Sequence, residues 1–294
     1  MLEEGIESKA PWTPIKIIQW AVPFLSRKGL QNPRFDIEVL IAYALKIDRL
    51  KVYLQFDRPL EPNELSLIRE IIRRRSAHEP IQYITEKREF FGLTFKVSSG
   101  VLIPRPETEQ LVERVIEHLR GIPEDKRCVL DLGTGSGCVA ISIAKNISCQ
   151  MWAVEFSKTA LEVAVENGQN SGMDKAIRWR GGDWFSALKP GDPAQFQVIV
   201  SNPPYIAISE KDELAREVRD YEPSEALIAG KTGLEAYEAL AKELPEKLIR
   251  GGAALFEIHS DRYKQIAEIF RSSNWRETLY QDLQGLPRVL KLEK

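Results

Sequence analysis

Apolar residues recur along the first 85 positions at helical spacing: Ile15, Ile18 and Val22, then Ile37, Leu40, Ile41 and Ala44, then Leu65, Ile68, Ile71 and Ile72. Residues three and four apart share one face of an α-helix, so each group predicts one amphipathic helix. Pro14, Pro33 and Pro62 stand just ahead of these groups. Proline suits a first helical turn, where the leading N–H groups lack intrahelical partners. Residues 1–85 are therefore expected to form a small helical domain. The pattern changes over 89–102, "EFFGLTFKVSSGVL", which is rich in aromatic and β-branched residues, with Gly92 and Ser99-Gly100 as turn points. A β-hairpin is expected there, within a linker of residues 86–104. "IPRPETEQLVERVIEHL" then predicts a helix with Pro106 near its first turn and Glu107 and Glu109 at the positive end of its dipole. Leu111, Val112, Val115, Ile116 and Leu119 form its apolar face.

From residue 126 onward, short apolar runs alternate with helical stretches. "RCVLDLG", "QMWAVEF", "AIRWRGGD", "FQVIVSN" and "GGAALFEI" predict strands, and helices are expected near 158–170 and 234–248. Strands with few polar breaks, separated by helices, imply an α/β fold whose mostly parallel sheet is covered on both faces. "ETLYQDLQGLPRVLKLE" predicts an antiparallel hairpin at the sheet edge, and residues 105–294 are expected to form this second domain. Ligands of such sheets sit at the carboxyl ends of the strands.

Composition narrows the class. Of 294 residues, 43% are hydrophobic and 29% charged, the profile of a globular enzyme. No apolar run is long enough to span a bilayer, and the opening "MLEEGIESKAPW" is acidic and polar where a signal peptide is basic and then apolar. A cytoplasmic protein is expected. Cys128, Cys138 and Cys149 form no C-x-x-C pair, and His78, His118 and His259 lack ligand spacing, so neither a disulfide framework nor a metal site is expected. The net charge of −2 is a weak footprint for stable nucleic-acid binding. Arg73-Arg74-Arg75 is the one basic run, expected to be a solvated or partner-facing surface at a helix end.

Two stretches carry candidate chemistry. In "VLDLGTGSGCVAISIA", Gly133, Gly135 and Gly137 follow Asp131 and alternate with Thr134 and Ser136 where a strand turns into a helix. A dinucleotide fingerprint would be G-x-G-x-x-G, and Cys138 stands where its last glycine is needed. The G-x-G-x-G spacing suits S-adenosylmethionine, which carries no phosphate but needs close backbone approach. Glu155 ends the next strand, where a carboxylate can accept from both ribose hydroxyls; such charge-assisted bonds contribute roughly 1.5–3 kcal/mol each. Asp183 and Trp184 of "GGDWF" end the third strand, placed to accept from an adenine amino group and to offer it a flat face.

The second stretch is "VIVSNPPYIA", residues 198–207. Pro203 and Pro204 cannot donate to a sheet ladder, so the strand stops at Asn202. The end of this strand should lie beside the end of the first strand, in a sheet that reverses direction there. Asn202 would then face a methyl donor. The Asn202 side-chain oxygen and the Pro203 carbonyl can each accept one N–H of a planar NH2 group, pinning it for attack, and Tyr205 offers a stacking face. This hook fits adenine, cytosine, guanine or a glutamine amide.

"VLIPRPETE", "DLGTGSG", "VSNPPYI", "YEPSEAL" and "GLEAY", in this order behind a helical region, resemble the protein-glutamine methyltransferase family known as HemK or PrmC. The resemblance implies a Rossmann-like class I methyltransferase fold. It further implies transfer of a methyl group from S-adenosyl-L-methionine, leaving S-adenosyl-L-homocysteine, to the N5 amide nitrogen of the Gly-Gly-Gln glutamine of class-1 peptide chain release factors. By position it places the donor site on Gly133–Gly137, Glu155, Trp184 and Asn202, and the glutamine site on Asn202, Pro203, Pro204 and Tyr205. The chain departs from the family pattern at Glu155, where Asp is usual, and at Glu86, Gln197, His259 and Arg262. His259 is expected to be structural. The alternative is an amino methyltransferase of nucleic acid, acting on adenine N6 or guanine N2. The long connection 206–233 is expected to cover the acceptor.

Overall fold

The computed structural model describes residues 11–271 and 275–294. The first ten residues of the expected helical domain lie outside the described residues. The chain divides into two compact units, one ending at Glu86 and the other running from Lys87 to Lys294.

The first unit is helical: α1 (Pro14–Arg27), α2 (Pro33–Leu45), α3 (Arg49–Leu54), α4 (Pro62–Ser76) and α5 (Ile81–Thr85). Pro14, Pro33 and Pro62 each open their helix, as the spacing predicted. Ile17, Leu25, Ile37, Leu40, Ile68 and Ile72 meet in one apolar core. Short α3 and α5 escape a periodicity argument, because six or five residues hold barely one repeat. The arginine run is only in part the solvated surface expected of it, with Arg73 exposed, Arg74 partly so and Arg75 not. Arg75 is buried and bonds to Asp36 at 2.7 Å, Arg74 pairs with Glu79 at 2.6 Å, and Arg73 pairs with Glu70 at 2.6 Å. The helix turns successive side chains by about 100°, so three consecutive arginines cannot share one face.

The second unit opens with a hairpin, β1 (Lys87–Phe90) and β2 (Leu93–Lys96). It is shorter than the expected 89–102, because Phe91 and Gly92 both take left-handed backbone and close a tight two-residue turn. Val97 and Val101 are buried beyond the end of the hairpin ladder, and the Val101 N–H bonds back to the Ser98 carbonyl in a separate turn. α6 (Thr108–Arg120) begins two residues after Pro106, because Thr108 and Glu109 bond to the carbonyls of Arg105 and Pro106 in preceding three-residue turns.

The central sheet is mostly parallel. β3 (Cys128–Leu132), β4 (Gln150–Glu155), β5 (Ile177–Gly181), β6 (Phe196–Ser201) and β9 (Leu248–Glu257) run parallel, and β10 (Arg276–Gln281) and β11 (Pro287–Glu293) add the antiparallel edge. The order is β10-β11-β9-β6-β3-β4-β5. Alternate side chains divide the core. Val129, Val198, Val200 and Leu255 pack with α6 and α7 (Cys138–Asn146) on one face. Leu130, Leu132, Ile199 and Phe256 pack with α11 (Glu235–Lys247) and α12 (Tyr263–Phe270) on the other. α8 (Lys158–Asn170) follows β4. The connection 206–233 is structured: β7 (Ile206–Ala207) pairs with β8 (Ile228–Gly230), and α9 (Arg216–Tyr221) and α10 (Ser224–Leu227) lie between them. Gln197 donates to the Gly251 carbonyl at 3.1 Å, a structural role for one departure from the family pattern. Among the described residues no helix is long and apolar enough to cross a membrane.

Candidate active site

β3 has β4 on one side and β6 on the other. The chain leaves β3 toward one neighbour and reaches the other by a long return, which opens a crevice at their carboxyl ends. A cavity of about 390 Å³ fills that crevice, within the roughly 300–1,000 Å³ typical of small-ligand sites. Gly133, Gly135, Glu155, Asp183, Trp184 and Asn202 all line it, so strand ends far apart in sequence bring six of the expected residues together. Asp131, Thr134 and Ser136 instead line a small adjoining cavity.

The glycine turn is held by backbone geometry. The N–H groups of Gly133 and Thr134 both donate to the Val154 carbonyl at 2.9 Å. Gly135 has φ +58, and an added Cβ there would meet nothing within 4 Å, consistent with its place on an open cavity wall. Gly137 has a different role and lines neither cavity. With φ +81 it precedes α7, and a Cβ would meet Ile141 at 3.0 Å and Trp179 at 3.1 Å. Asp131 accepts from the Thr134 hydroxyl at 2.6 Å beneath the turn, and burial pushes its carboxyl up to about 7.

Glu155 sits between turn and cavity. One carboxylate oxygen accepts the Gly135 N–H at 2.7 Å and the other the Ser157 N–H at 2.9 Å. Burial raises its pKa, against the pull of those backbone donors. A carboxylate has about four acceptor sites, so both bonds leave lone pairs for a ligand. Trp184 lies half-buried with its ring 3.7 Å from where a Gly133 Cβ would be, and holds a left-handed φ of 40°.

A second cavity of about 230 Å³ opens on the other side of the hook, lined by Arg105, Pro203, Tyr205, Leu214 and Val218 among others. Asn202 and Pro204 line both cavities. The Asn202 Nδ2 donates to the Thr108 hydroxyl at 3.2 Å, and its Oδ1 has no hydrogen-bond partner among the described residues. Burial raises the Tyr205 hydroxyl above its ordinary value, so it stays neutral. The Tyr205 carbonyl accepts from Arg262 at 2.9 Å, and the same guanidinium pairs with Glu210. Arg262, a departure from the family pattern, thus fastens the backbone just after the hook. His259 Nδ1 accepts the Asp261 N–H at 3.3 Å and its ring lies 5.6 Å from that of Tyr205, a structural placement.

Several wall residues were not singled out from sequence. Leu102 and Ala226 line both cavities, while Phe156 and Glu225 line the first. Glu222 ties the wall together, accepting from the Ile103 N–H at 3.1 Å and from Arg105 at 2.6 Å. The stretch "YEPSEAL" held Glu222, Glu225 and Ala226, but nothing local marked their direction.

Residues 16–85 match the family model described as the PrmC N-terminal domain, and residues 108–219 match that of the methyltransferase small domain. The chain is 37% identical over 291 residues to a release factor glutamine methyltransferase of Rhodopirellula baltica, covering 97% of each. It is 38% identical over 281 residues to one of Geobacter sulfurreducens, covering 95% of this chain and 96% of that one. A methyltransferase structure from Pyrococcus furiosus superposes with a TM-score of 0.50 at 19% identity, over 69% of this chain and 89% of the other, a likeness of fold alone.

Proposed function

This chain belongs to the release factor glutamine methyltransferase family, and from that premise we propose that it methylates the N5 amide nitrogen of the Gly-Gly-Gln glutamine of class-1 peptide chain release factors, using S-adenosylmethionine. The observation that carries the reading is that Asn202 and Pro204 form the wall shared by a donor-sized cavity and a second cavity beside Tyr205. A donor and a flat acceptor on the two sides of that wall meet at the hook.

The residues of the first cavity fit the donor. Gly133 and Gly135 leave backbone bare for close approach, Glu155 retains acceptor sites for ribose hydroxyls, and Asp183 and Trp184 stand where an adenine would lie. Bound there, S-adenosylmethionine supplies an electrophilic methyl group. Asn202 Oδ1 and the Pro203 carbonyl accept the two N–H bonds of the acceptor amide and turn its nitrogen toward the donor. Tyr205 packs against the amide plane. No general base is needed before attack, because the departing proton becomes acidic only as nitrogen gains the methyl group. Orientation of this kind can contribute roughly 7–11 kcal/mol to lowering a barrier.

In this reading residues 1–85 grip the body of the release factor, 86–104 link the two domains, and 105–294 carry the chemistry in the cytoplasm. Exposed Leu50, Tyr53, Leu54 and Phe56 give the helical unit apolar surface suited to a protein partner. Mass spectrometry of release-factor peptides after incubation with the donor tests the assignment. One added methyl on the Gly-Gly-Gln glutamine is expected. Label entering DNA or RNA while the factor stays unmodified would overturn it.

A further inference from the structure

Glu257 ends β9, next to the strand end that bears the hook. Ser201 pairs in parallel register with Phe256, so Asn202 and Glu257 are the next residues along two neighbouring strands. Glu257 is buried, and its Oε2 has no hydrogen-bond partner among the described residues. Removing a carboxylate from water is costly unless partners replace the lost hydration. The Tyr237 hydroxyl fixes this strand end, donating to the Glu257 backbone carbonyl at 2.8 Å.

Thr108, the first residue of α6, joins the acid to the hook. Its hydroxyl stands against the Glu257 carboxyl and favours that acid's ionised form, and its oxygen accepts from Asn202 Nδ2 at 3.2 Å. A threonine hydroxyl has one hydrogen to give. While Glu257 is ionised that hydrogen belongs to the carboxylate, and Thr108 can only accept from Asn202. Asn202 must then turn its NH2 toward Thr108, which puts Oδ1 on the opposite side of the amide. We infer that Glu257 is a positioning residue that, acting through Thr108, holds the Asn202 amide with its oxygen toward the acceptor. The inference rests on the glutamine-methylation reading, since an acceptor N–H is what makes the orientation of the amide matter.

The arrangement has a pH signature. Burial is the main influence on Glu257 and pushes its carboxyl up to about 7; Glu107 adds to the rise, while Thr108, Arg288 and Arg105 oppose it. Neutral Tyr205 and Tyr237 face the same carboxyl. Once protonated, Glu257 can donate to Thr108, whose own hydrogen is then free to point at Asn202 and favour the inverted amide. Two donors would then confront each other at the hook. Turnover should fall as pH drops through about 7 while binding of the release factor is little changed.

The test compares wild type with Glu257→Gln, Thr108→Val, Thr108→Ser and Asn202→Ala. It measures kcat and KM for release-factor methylation across pH, donor affinity by calorimetry, and folding by thermal denaturation. Thr108→Val should lower kcat roughly 10- to 100-fold with KM and donor affinity held, as expected for a displaced positioning group. Thr108→Ser should restore it, and Glu257→Gln should abolish the acidic limb near neutrality. If Glu257→Gln does not fold, the wild-type limb and the Thr108 pair still decide. Wild-type kcat in Thr108→Val, or an unaltered limb in folded Glu257→Gln, would overturn the inference, provided Asn202→Ala has lost turnover. A wild-type protein that leaves the glutamine unmodified would instead overturn the parent reading.

Discussion

Glu155→Gln is the sharpest probe of the donor site, because it changes hydrogen bonding and charge without changing shape. Glu155 receives two backbone N–H groups on different oxygens, Gly135 at 2.7 Å and Ser157 at 2.9 Å. A glutamine has one oxygen to offer, so its NH2 must face one of those N–H groups, donor against donor. Losing one bond to a charged acceptor costs about 1.5–3 kcal/mol. Where the Gly135 bond is lost, the glycine turn loosens at the cavity wall, and donor affinity should fall about 10- to 150-fold. Calorimetric titration with S-adenosylmethionine reads the affinity, and a thermal melt reads the stability. Burial raises the Glu155 pKa, so affinity and stability should respond to pH in opposite senses. Affinity needs the ionised carboxylate and falls as pH drops into the raised titration range. A raised folded-state pKa means that the folded state binds the proton more tightly, so this group's stability contribution is full at low pH and is lost as pH rises through the folded pKa. Glu155→Gln should remove both dependences. A variant with wild-type donor affinity and an unchanged pH profile would refute the proposed role of this carboxylate.

Four further outcomes are expected. Asn202→Ala should bind donor normally while kcat falls about 100- to 1,000-fold, the range for removing one positioned hydrogen-bonding group; weakened donor binding with retained turnover would contradict the hook as amide clamp. Gly233→Ala places a Cβ 2.6 Å from the Tyr205 carbonyl and 3.0 Å from Arg262 Nη1, at φ +80, so it should displace the hook's exit. Denaturant titration should show a loss of roughly 1–3 kcal/mol, with turnover reduced; a neutral result would mean that Arg262 does not brace the hook. Asp36→Ala removes the carboxylate that neutralises the buried Arg75, leaving it the Glu79 carbonyl at 2.8 Å, and should destabilise the helical unit by about 3–5 kcal/mol, read as a lowered unfolding midpoint. Leu54→Asp, at a side chain 80% exposed, should weaken release-factor binding and leave donor affinity alone; unchanged factor binding would remove this surface from the proposed grip.

The elements legible in the sequence are those whose requirement is local and repeated. Three helices open on Pro14, Pro33 and Pro62 because proline at a first turn is a backbone matter, and their apolar period repeats over about two turns. β3, β4, β6 and β9 read as apolar runs because both faces of the sheet are covered. The two-residue β7 and three-residue β8 carry no period at all; their pairing depends on the whole connection folding back. Arg75 shows the same limit in the helical unit. Its neighbours suggest a basic surface, but its partner Asp36 lies on another helix, and only packing decides which of three consecutive arginines turns inward.

The site divides along the same line. Gly133, Gly135, Asn202 and the two prolines are legible because each is demanded by its own backbone, and in the structure they meet at one crevice. Their orientation is set by residues whose link to the hook has no local mark. Thr108 precedes the hook by 94 positions and Glu257 follows it by 55, and they come together only because β9 lies beside β6 with α6 packed over both. A short motif therefore names the atoms available for the chemistry, while which way Asn202 presents its oxygen depends on a hydrogen placed two side chains away. If that is correct, transplanting "NPPY" alone onto a related sheet would carry the acceptor atoms without fixing their direction. Activity would follow only when the threonine and the buried acid were carried with it.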